Sequence, residues 1–339
     1  MVALYVISSE RAAGKTAICA GVGKHLLMDG KKVGFFKPII ADTKNLPIEG
    51  TDSDAVFMKH IFALEEAVDC LCPVISNQNN LVNNIKEAYA KVSPGKDVVI
   101  VEGISEQSQA SYQIVEALDA KVIIVEGYSK DLPKAKNSYK DFWEYLLGVV
   151  LNKVPRSQLE YVRNELPTQL GEAGVNILGV LPENRALFSL TVGELAEHIQ
   201  GEILNSDEKS VELVENFMLG AMCLDPGPEY FGRKANKAVV VRSERPDMQL
   251  AALETSIRCL VLSGNTAPIP AVLYGAQDKE IPIISAKGDT IATVTSIEDA
   301  LSKTRFNQEK KLPKLTEIME QHFNFQALYH GLSLAEQPN

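Results

Sequence analysis

Short, nearly continuous apolar runs alternate along the chain with segments whose apolar residues recur at helical spacing. The runs "ALYVIS" (3–8), "KVGFF" (32–36), "DVVIVEG" (97–103), "KVIIVEG" (121–127), "GVVLNKV" (148–154) and "NILGVLP" (176–182) predict strands. Between them the spacing predicts helices over 15–29, 52–62, 80–92, 111–118, 133–146 and 156–173. Unbroken Val and Ile runs, rather than strict apolar–polar alternation, belong to strands covered on both faces, hence to a parallel sheet flanked by helices. That is the doubly wound α/β pattern.

The polar stretch "NSDEKS" (205–210) lacks apolar periodicity and predicts a boundary, which gives a first domain over 1–205 and a second over 206–310. The second repeats the α/β logic at smaller scale. "KAVVVRS" (237–243) leads to a helix in "PDMQLAALETSI" (246–257), then "RCLVLSG" (258–264), "IPAVLYGAQD" (269–278), "IPIIS" (281–285) and a helix near 288–302. Residues 311–331 predict one more helix, followed by a frayed tail to 339.

A chain of 339 residues has room for two domains with cores of their own, and 45% hydrophobic with 23% charged residues is ordinary for a soluble protein. A net charge of −10 and a pI near 5.2 argue against a nucleic-acid partner, which calls for basic clustering. The five cysteines (Cys19, Cys70, Cys72, Cys223, Cys259) form no C-x-x-C pair, and Cys70 and Cys72, in a strand, would point the same way. Reduced core residues are the more ordinary reading, metal ligands the other. The N-terminus enters a strand with no basic leader, and no uninterrupted apolar run reaches about 18 residues, so a cytoplasmic protein without a membrane partner is expected. The histidines (25, 60, 198, 322, 330) lack H-x-x-H spacing and read as surface or packing residues, and Trp143 in "DFWEYLL" as a helix anchor against the core.

Between the first strand and helix sits "SSERAAGKT", close to the phosphate loop G-x-x-x-x-G-K-[ST]. Backbone N–H groups converging at a helix N-terminus favour an anion, Lys15 would reach terminal phosphates, and the Thr16 hydroxyl would ligate Mg²⁺. Ala12 and Ala13 keep the rim before Gly14 small. Ser9 stands where the motif has its first glycine, which leaves two readings: a loop that bends without positive φ, or one that no longer wraps phosphate. Lys37 ends the second strand, Asp52 and Asp54 open the next helix, and Glu102 ends the "VVIVEG" strand. Carboxylates near a triphosphate suit Mg²⁺. For Asp52 capping is the more ordinary role, and for Glu102 the alternative is a helix-cap partner.

Taken in order, "SSERAAGKT", "GFFKPI", "TDSDA", "VVIVEG", "GVVLNKV" and "NILGVLPEN" resemble the dethiobiotin-synthetase-like P-loop domain, a branch that includes cobyrinic acid a,c-diamide synthase. The nearest likeness is to the N-terminal domain of long-form phosphotransacetylases, over about residues 1–200. Residues 215–305 resemble the smaller α/β DRTGG domain that follows it there, through "SERPDMQLAALET" and "CLVLSGN". The resemblance implies ATP and Mg²⁺ as cofactors, with Ala12, Ala13, Gly14, Lys15 and Thr16 around the phosphates and Thr16, Asp54 and Glu102 around the metal. It implies catalytic roles for Lys15 and Lys37, the latter stabilising a developing negative charge. Asn152 would lie near the adenine, with the "LPEN" loop (181–184), Pro182 included, closing over it.

The departures are specific. After Glu102-Gly103 the chain reads "ISEQSQASYQ" instead of a glycine-rich substrate loop, which counts against biotin chemistry. The Asp-Arg of the DRTGG name is Glu244-Arg245, and Thr-Gly-Gly is Ser263-Gly264-Asn265. With 339 residues the acetyltransferase domain has no room, so an acetyltransferase is not expected. The leading expectation is an ATP- and Mg²⁺-binding sensor or regulatory protein with little or slow hydrolysis. The alternative is a free-standing ATP-dependent carboxylate-activating ligase, and the third a scaffold with a vestigial loop. Arg242, Arg245 and Gly264 form either a pocket for a second small anionic ligand or ordinary surface charge. A homodimer or higher homo-oligomer is expected by analogy alone.

Overall fold

The computed structural model describes residues 1–10, 12–40, 52–75, 80–105, 109–129, 141–171, 175–221 and 227–335. Strand β1 (Val2–Ser8) leads by a loop into α1 (Lys15–Met28) and β2 (Val33–Phe36). Helices α2 (Ser53–Ile61) and α3 (Leu81–Tyr89) precede β3 (Val98–Ser105), α4 (Gln109–Leu118) and β4 (Lys121–Gly127). β5 (Leu146–Val154), α5 (Leu159–Gly171) and β6 (Ile177–Pro182) complete this series. The strands form one parallel sheet in the order β2-β3-β1-β4-β5-β6.

The chain leaves β1 toward one edge and, from β3 onward, advances to the other. Because parallel crossovers take the right hand, that reversal puts helices on both faces, so the sheet is doubly wound with β1 at its reversal point. Val98, Val99, Ile100 and Val101 of β3, and Val122, Ile123, Ile124 and Val125 of β4, are wholly buried. A strand covered on both faces needs apolar residues at every position, which is why these runs do not alternate.

The second unit holds α6 (Val192–His198), β7 (Glu202–Ile203), β8 (Asn216–Gly220), β9 (Lys237–Arg242), α7 (Pro246–Leu253), β10 (Ile257–Ser263), α8 (Pro270–Asp278), β11 (Ile283–Ala286) and α9 (Thr290–Ser302). Its sheet runs β7-β11-β10-β9-β8, parallel except for β7. Val239, Val241, Leu260 and Leu262 bury one face, with Met248 and Leu253 of α7. Ala238, Val240, Cys259 and Val261 bury the other, with Leu195 of α6 and Ile297 of α9. The period of two is that of a pleated strand with a layer on each side.

The compact units are residues 1–183 with 306–339, and residues 184–305. The expected division at 205/206 falls inside the second unit, because Glu202 and Ile203 pair with Ser285 and Ile284 of its sheet. Residues 311–331 are two helices rather than one, α10 (Leu312–His322) and α11 (Phe325–Gly331), and they belong to the first unit. α10 lies against α1: a Cβ on Gly21 would sit 1.9 Å from Met319 Sδ, so any larger residue there would have to displace the methionine side chain. The break falls where Phe323 bridges to Gly179 and Asn324 N–H donates to Leu178 O (2.7 Å), which covers the edge of β6.

Two further expectations need correction. Cys70-Leu71-Cys72 lies in and beside a short helix, Val68–Leu71, and not in a strand. Of the helix expected over 133–146, residues 133–140 lie outside the described residues, 141–145 form a short 3-10 stretch and a turn, and Leu146 opens β5. Trp143 there is 46% exposed, while its neighbour Phe142, against Tyr112, takes the core position. Cys223 also lies outside the described residues.

Candidate functional site

β1 ends in the middle of the sheet, and the loop to α1 crosses the sheet's carboxyl edge. Ala12 (φ 58°) and Gly14 (φ 102°) carry the left-handed turns, whereas Ser9 has no positive φ. The bend therefore needs no glycine at position 9. At Gly14 both conformation and space require one, since a Cβ would stand 2.2 Å from Asn152 Nδ2. Gly14 is also the N-cap of α1 and offers no side chain to its first N–H groups, which leaves them open to an anion.

Lys15, the first residue of α1, is buried and donates from Nζ to Ser8 Oγ at 3.0 Å. Burial lowers its pKa, and nearby Glu102 opposes that. Thr16 Oγ1 donates to Glu102 Oε1 at 2.9 Å. Lys37, just after β2, meets Asp52 Oδ2 at 2.9 Å, Asp54 Oδ2 at 2.6 Å and Glu102 Oε1 at 3.9 Å. Asp52 also caps α2, accepting from Ala55 N–H at 2.9 Å, the more ordinary of the two roles weighed for it. Burial alone would lower the pKa of Lys37, but Glu102 and Asp54 outweigh it and hold the ammonium charged. Glu102 is buried, and its carboxyl is pushed up to about 7 by that burial, against the pull of Lys37. Its Oε2 has no hydrogen-bond partner.

On the other side of β1, β5 grips the loop. Asn152 Nδ2 donates to Ala13 O (2.9 Å) and Lys153 Nζ to Ala12 O (2.7 Å). Ser9 Oγ donates to Glu126 Oε2, at the end of β4. Glu126 is buried, burial raises its pKa, and its Oε1 has no partner. Glu126 is a site residue that spacing and residue type alone do not single out, although "VIIVEG" (122–127) repeats "VVIVEG" (98–103). Pro182 ends β6 opposite Val154, one strand beyond Asn152. The "LPEN" loop crosses the division between the units, and Asn184 accepts from Ala186 N–H in the second.

The structure thus joins Lys15, Thr16, Lys37, Asp54 and Glu102 into one cluster and sets Asn152 against the loop. Among the described residues no three His, Cys, Asp or Glu side chains are arranged to hold a metal by themselves. The oxygens of Thr16, Asp54 and Glu102 are hard donors, and the buried, unpartnered Glu102 Oε2 fits a cation. Mg²⁺ suits such a set, because it completes its shell with water and phosphate oxygens.

The corresponding strand ends of the second unit differ. Arg245 grips Asp247 with Nε at 2.9 Å and Nη2 at 2.7 Å, and Arg242 Nε faces Glu244 at 3.4 Å. Each arginine of the expected anion pocket therefore already faces a carboxylate two residues away, beside Gly264 at φ 103°.

The family described as an AAA domain matches residues 2–189, and the DRTGG domain matches residues 194–300. Phosphate acetyltransferase from Nitratidesulfovibrio vulgaris is 22% identical over 95% of this chain and 50% of its own length. The chain spans about half the length of the phosphate acetyltransferases it matches. ATP-dependent dethiobiotin synthetase from Caldicellulosiruptor saccharolyticus is 26% identical over 37% of this chain and 61% of its own. Among solved structures, the MinC:MinD cell division complex of Aquifex aeolicus aligns with a TM-score of 0.40 and 16% identity, over 55% of this chain and 84% of that one. Among the described residues no helix is long and apolar enough to cross a membrane.

Proposed function

Because the chain belongs to the AAA domain family, we propose that its first unit binds ATP with Mg²⁺ at the loop between β1 and α1. The chain then acts as a nucleotide-dependent regulatory protein with little or slow hydrolysis. The observation that carries this reading is the meeting of Lys15, Thr16, Lys37, Asp54 and Glu102 beside an α1 N-terminus open at Gly14. In it, the N–H groups from Ala12 to Thr16 and the Lys15 ammonium take the phosphates. Thr16, Asp54 and Glu102 hold Mg²⁺, Asn152 lies by the adenine, and Pro182 belongs to the loop over it. The DRTGG unit takes a second small ligand or mediates assembly of copies, a homodimer being the simplest.

Calorimetric titration of the chain with ATP and Mg²⁺ tests this. Binding weakened about tenfold or more by Lys15→Ala, the loss of one charge-assisted contact, is the expected result. No heat at millimolar nucleotide overturns it.

A ligase reading is favoured by one observation: Lys37 stays a fixed cation beside the metal carboxylates, where a developing negative charge would need it. Single-turnover ATP cleavage stimulated by a dicarboxylate or a diamine, and abolished by Lys37→Ala, would favour the ligase over the regulator.

A further inference from the structure

Glu102 and Glu126 lie in the carboxyl halves of β3 and β4, the two strands that flank β1, one on each side. A hydroxyl from the loop or the start of α1 engages one oxygen of each: Thr16 on Glu102 Oε1, Ser9 on Glu126 Oε2. The second oxygen of each is buried without a partner. In the nucleotide reading Mg²⁺ would account for the one on Glu102, whose other oxygen faces Lys37 at 3.9 Å. The surroundings of Glu126 are different. Among the described residues its charged neighbours are Glu10 on the loop, which repels, and Lys15 on α1, whose ammonium is engaged by Ser8. β1 carries no charged residue, β5 presents Leu151 in register with Glu126, and the Lys153 ammonium goes to Ala12 O.

A buried carboxylate with no described cation paired to it favours the neutral form, and burial raises the pKa here in that direction, against the hydrogen bonds from Ser9. A neutral carboxyl has one O–H donor and one carbonyl acceptor. Ser9 occupies Oε2 as acceptor, so the donor falls on Oε1, the atom with nothing to bond. A buried, unused donor beside the first residue of a phosphate loop calls for an anionic oxygen.

We propose that Glu126 is a ligand-contacting residue of the nucleotide site, whose carboxyl donates through Oε1 to an oxygen of the terminal phosphoryl group. The proposal rests on the nucleotide reading above. It also gives the Ser9 hydroxyl a purpose: alongside the Ser9 N–H, it helps fix which carboxyl oxygen carries the proton.

The test titrates the full chain with Mg-ATP and Mg-ADP between about pH 6 and pH 9. Wild type, Glu126→Gln, Glu126→Ala and Lys15→Ala are compared by the ratio of ATP to ADP affinity. The Gln amide keeps a donor at every pH. Glu126→Gln is therefore expected to match wild type at low pH and to hold the ratio as pH rises, while wild type loses about tenfold, the value of one hydrogen bond to a charged group. Glu126→Ala is expected to lose about tenfold in that ratio at low pH. If Glu126→Gln follows the wild-type pH profile, or weakens ATP as much as Glu126→Ala does, the proposal is overturned. The Glu126→Gln profile decides alone should the alanine variant not fold. Lys15→Ala binding ATP as tightly as wild type would instead overturn the nucleotide reading itself, which separates the two failures.

Discussion

Both units carry strand-to-helix loops at the carboxyl ends of parallel strands, and both place charged residues there, in opposite arrangements. In the first unit the partners are buried and remote in sequence: Thr16 reaches Glu102 across 86 positions, and Ser9 reaches Glu126 across 117. In the second they are near neighbours at the surface, Arg245 with Asp247 and Arg242 with Glu244. A pair two residues apart needs no fold to form and holds little free energy. A buried cluster exists only because the fold assembles it, and it carries a desolvation cost that hydrophobic residues in its place would avoid. Such clusters are where function is to be sought.

The strongest blow to this contrast falls on Lys37. Lys37→Ala leaves Asp52, Asp54 and Glu102 facing one another without their shared cation. We expect the first unit to lose about 3 kcal/mol in urea unfolding, the low end for breaking a buried pair, because the side chain retains some exposure. A loss below about 1 kcal/mol would place the cluster with ordinary surface pairs.

The next largest effect is pH dependence from Glu102. Its carboxyl is raised from an ordinary 4.5 to about 7 in the fold. Folding therefore favours the protonated form, so the stabilisation is complete below about pH 4.5 and is lost as pH rises through about 7. With metal chelated, the first unit should lose about 2 kcal/mol between about pH 5 and pH 8, and Glu102→Gln should flatten that slope. Magnesium holds the ionised form, so its affinity should strengthen over the same range. An unchanged slope in Glu102→Gln would assign the titration to another group.

How far this contrast was legible in the sequence follows from its physics. Strands buried on both faces announce themselves, and β4 begins and ends at the residues its pattern predicts. Lys15, Thr16, Lys37, Asp54 and Glu102 were each visible as strand-end or helix-start residues in a known loop context. Glu126 was not, since its significance lies in a contact with Ser9 that no local pattern encodes. The placement of α10 was hidden for the same reason. Its amphipathic spacing predicts a helix, but only the Gly21–Met319 approach says which unit it covers. Trp143 misled because size alone does not decide which of two adjacent aromatics turns inward.

The smallest expected effect is the most direct test from the other side. Arg245 and Asp247 form a three-contact grip within one turn of chain, at distances of 2.9, 3.2 and 2.7 Å. Geometry of that quality invites a large energy, but water screens Asp247, which is 61% exposed, and ordering two long side chains opposes the Coulomb gain. Arg245→Ala should therefore shift the stability of the second unit by no more than about 0.5 kcal/mol. Asp247→Ala should do the same, and the double variant should show coupling within that figure, since an exposed pair has little to lose twice. The readout that matters beyond stability is displacement of an anionic dye from the full chain. Asp247→Ala frees the guanidinium, so if the arginine serves an anion site the dye should bind more tightly in Asp247→Ala and more weakly in Arg245→Ala. Equal binding in both would leave Arg245 as solvated surface charge, and a stability loss above about 1 kcal/mol would erase the line drawn between the two units.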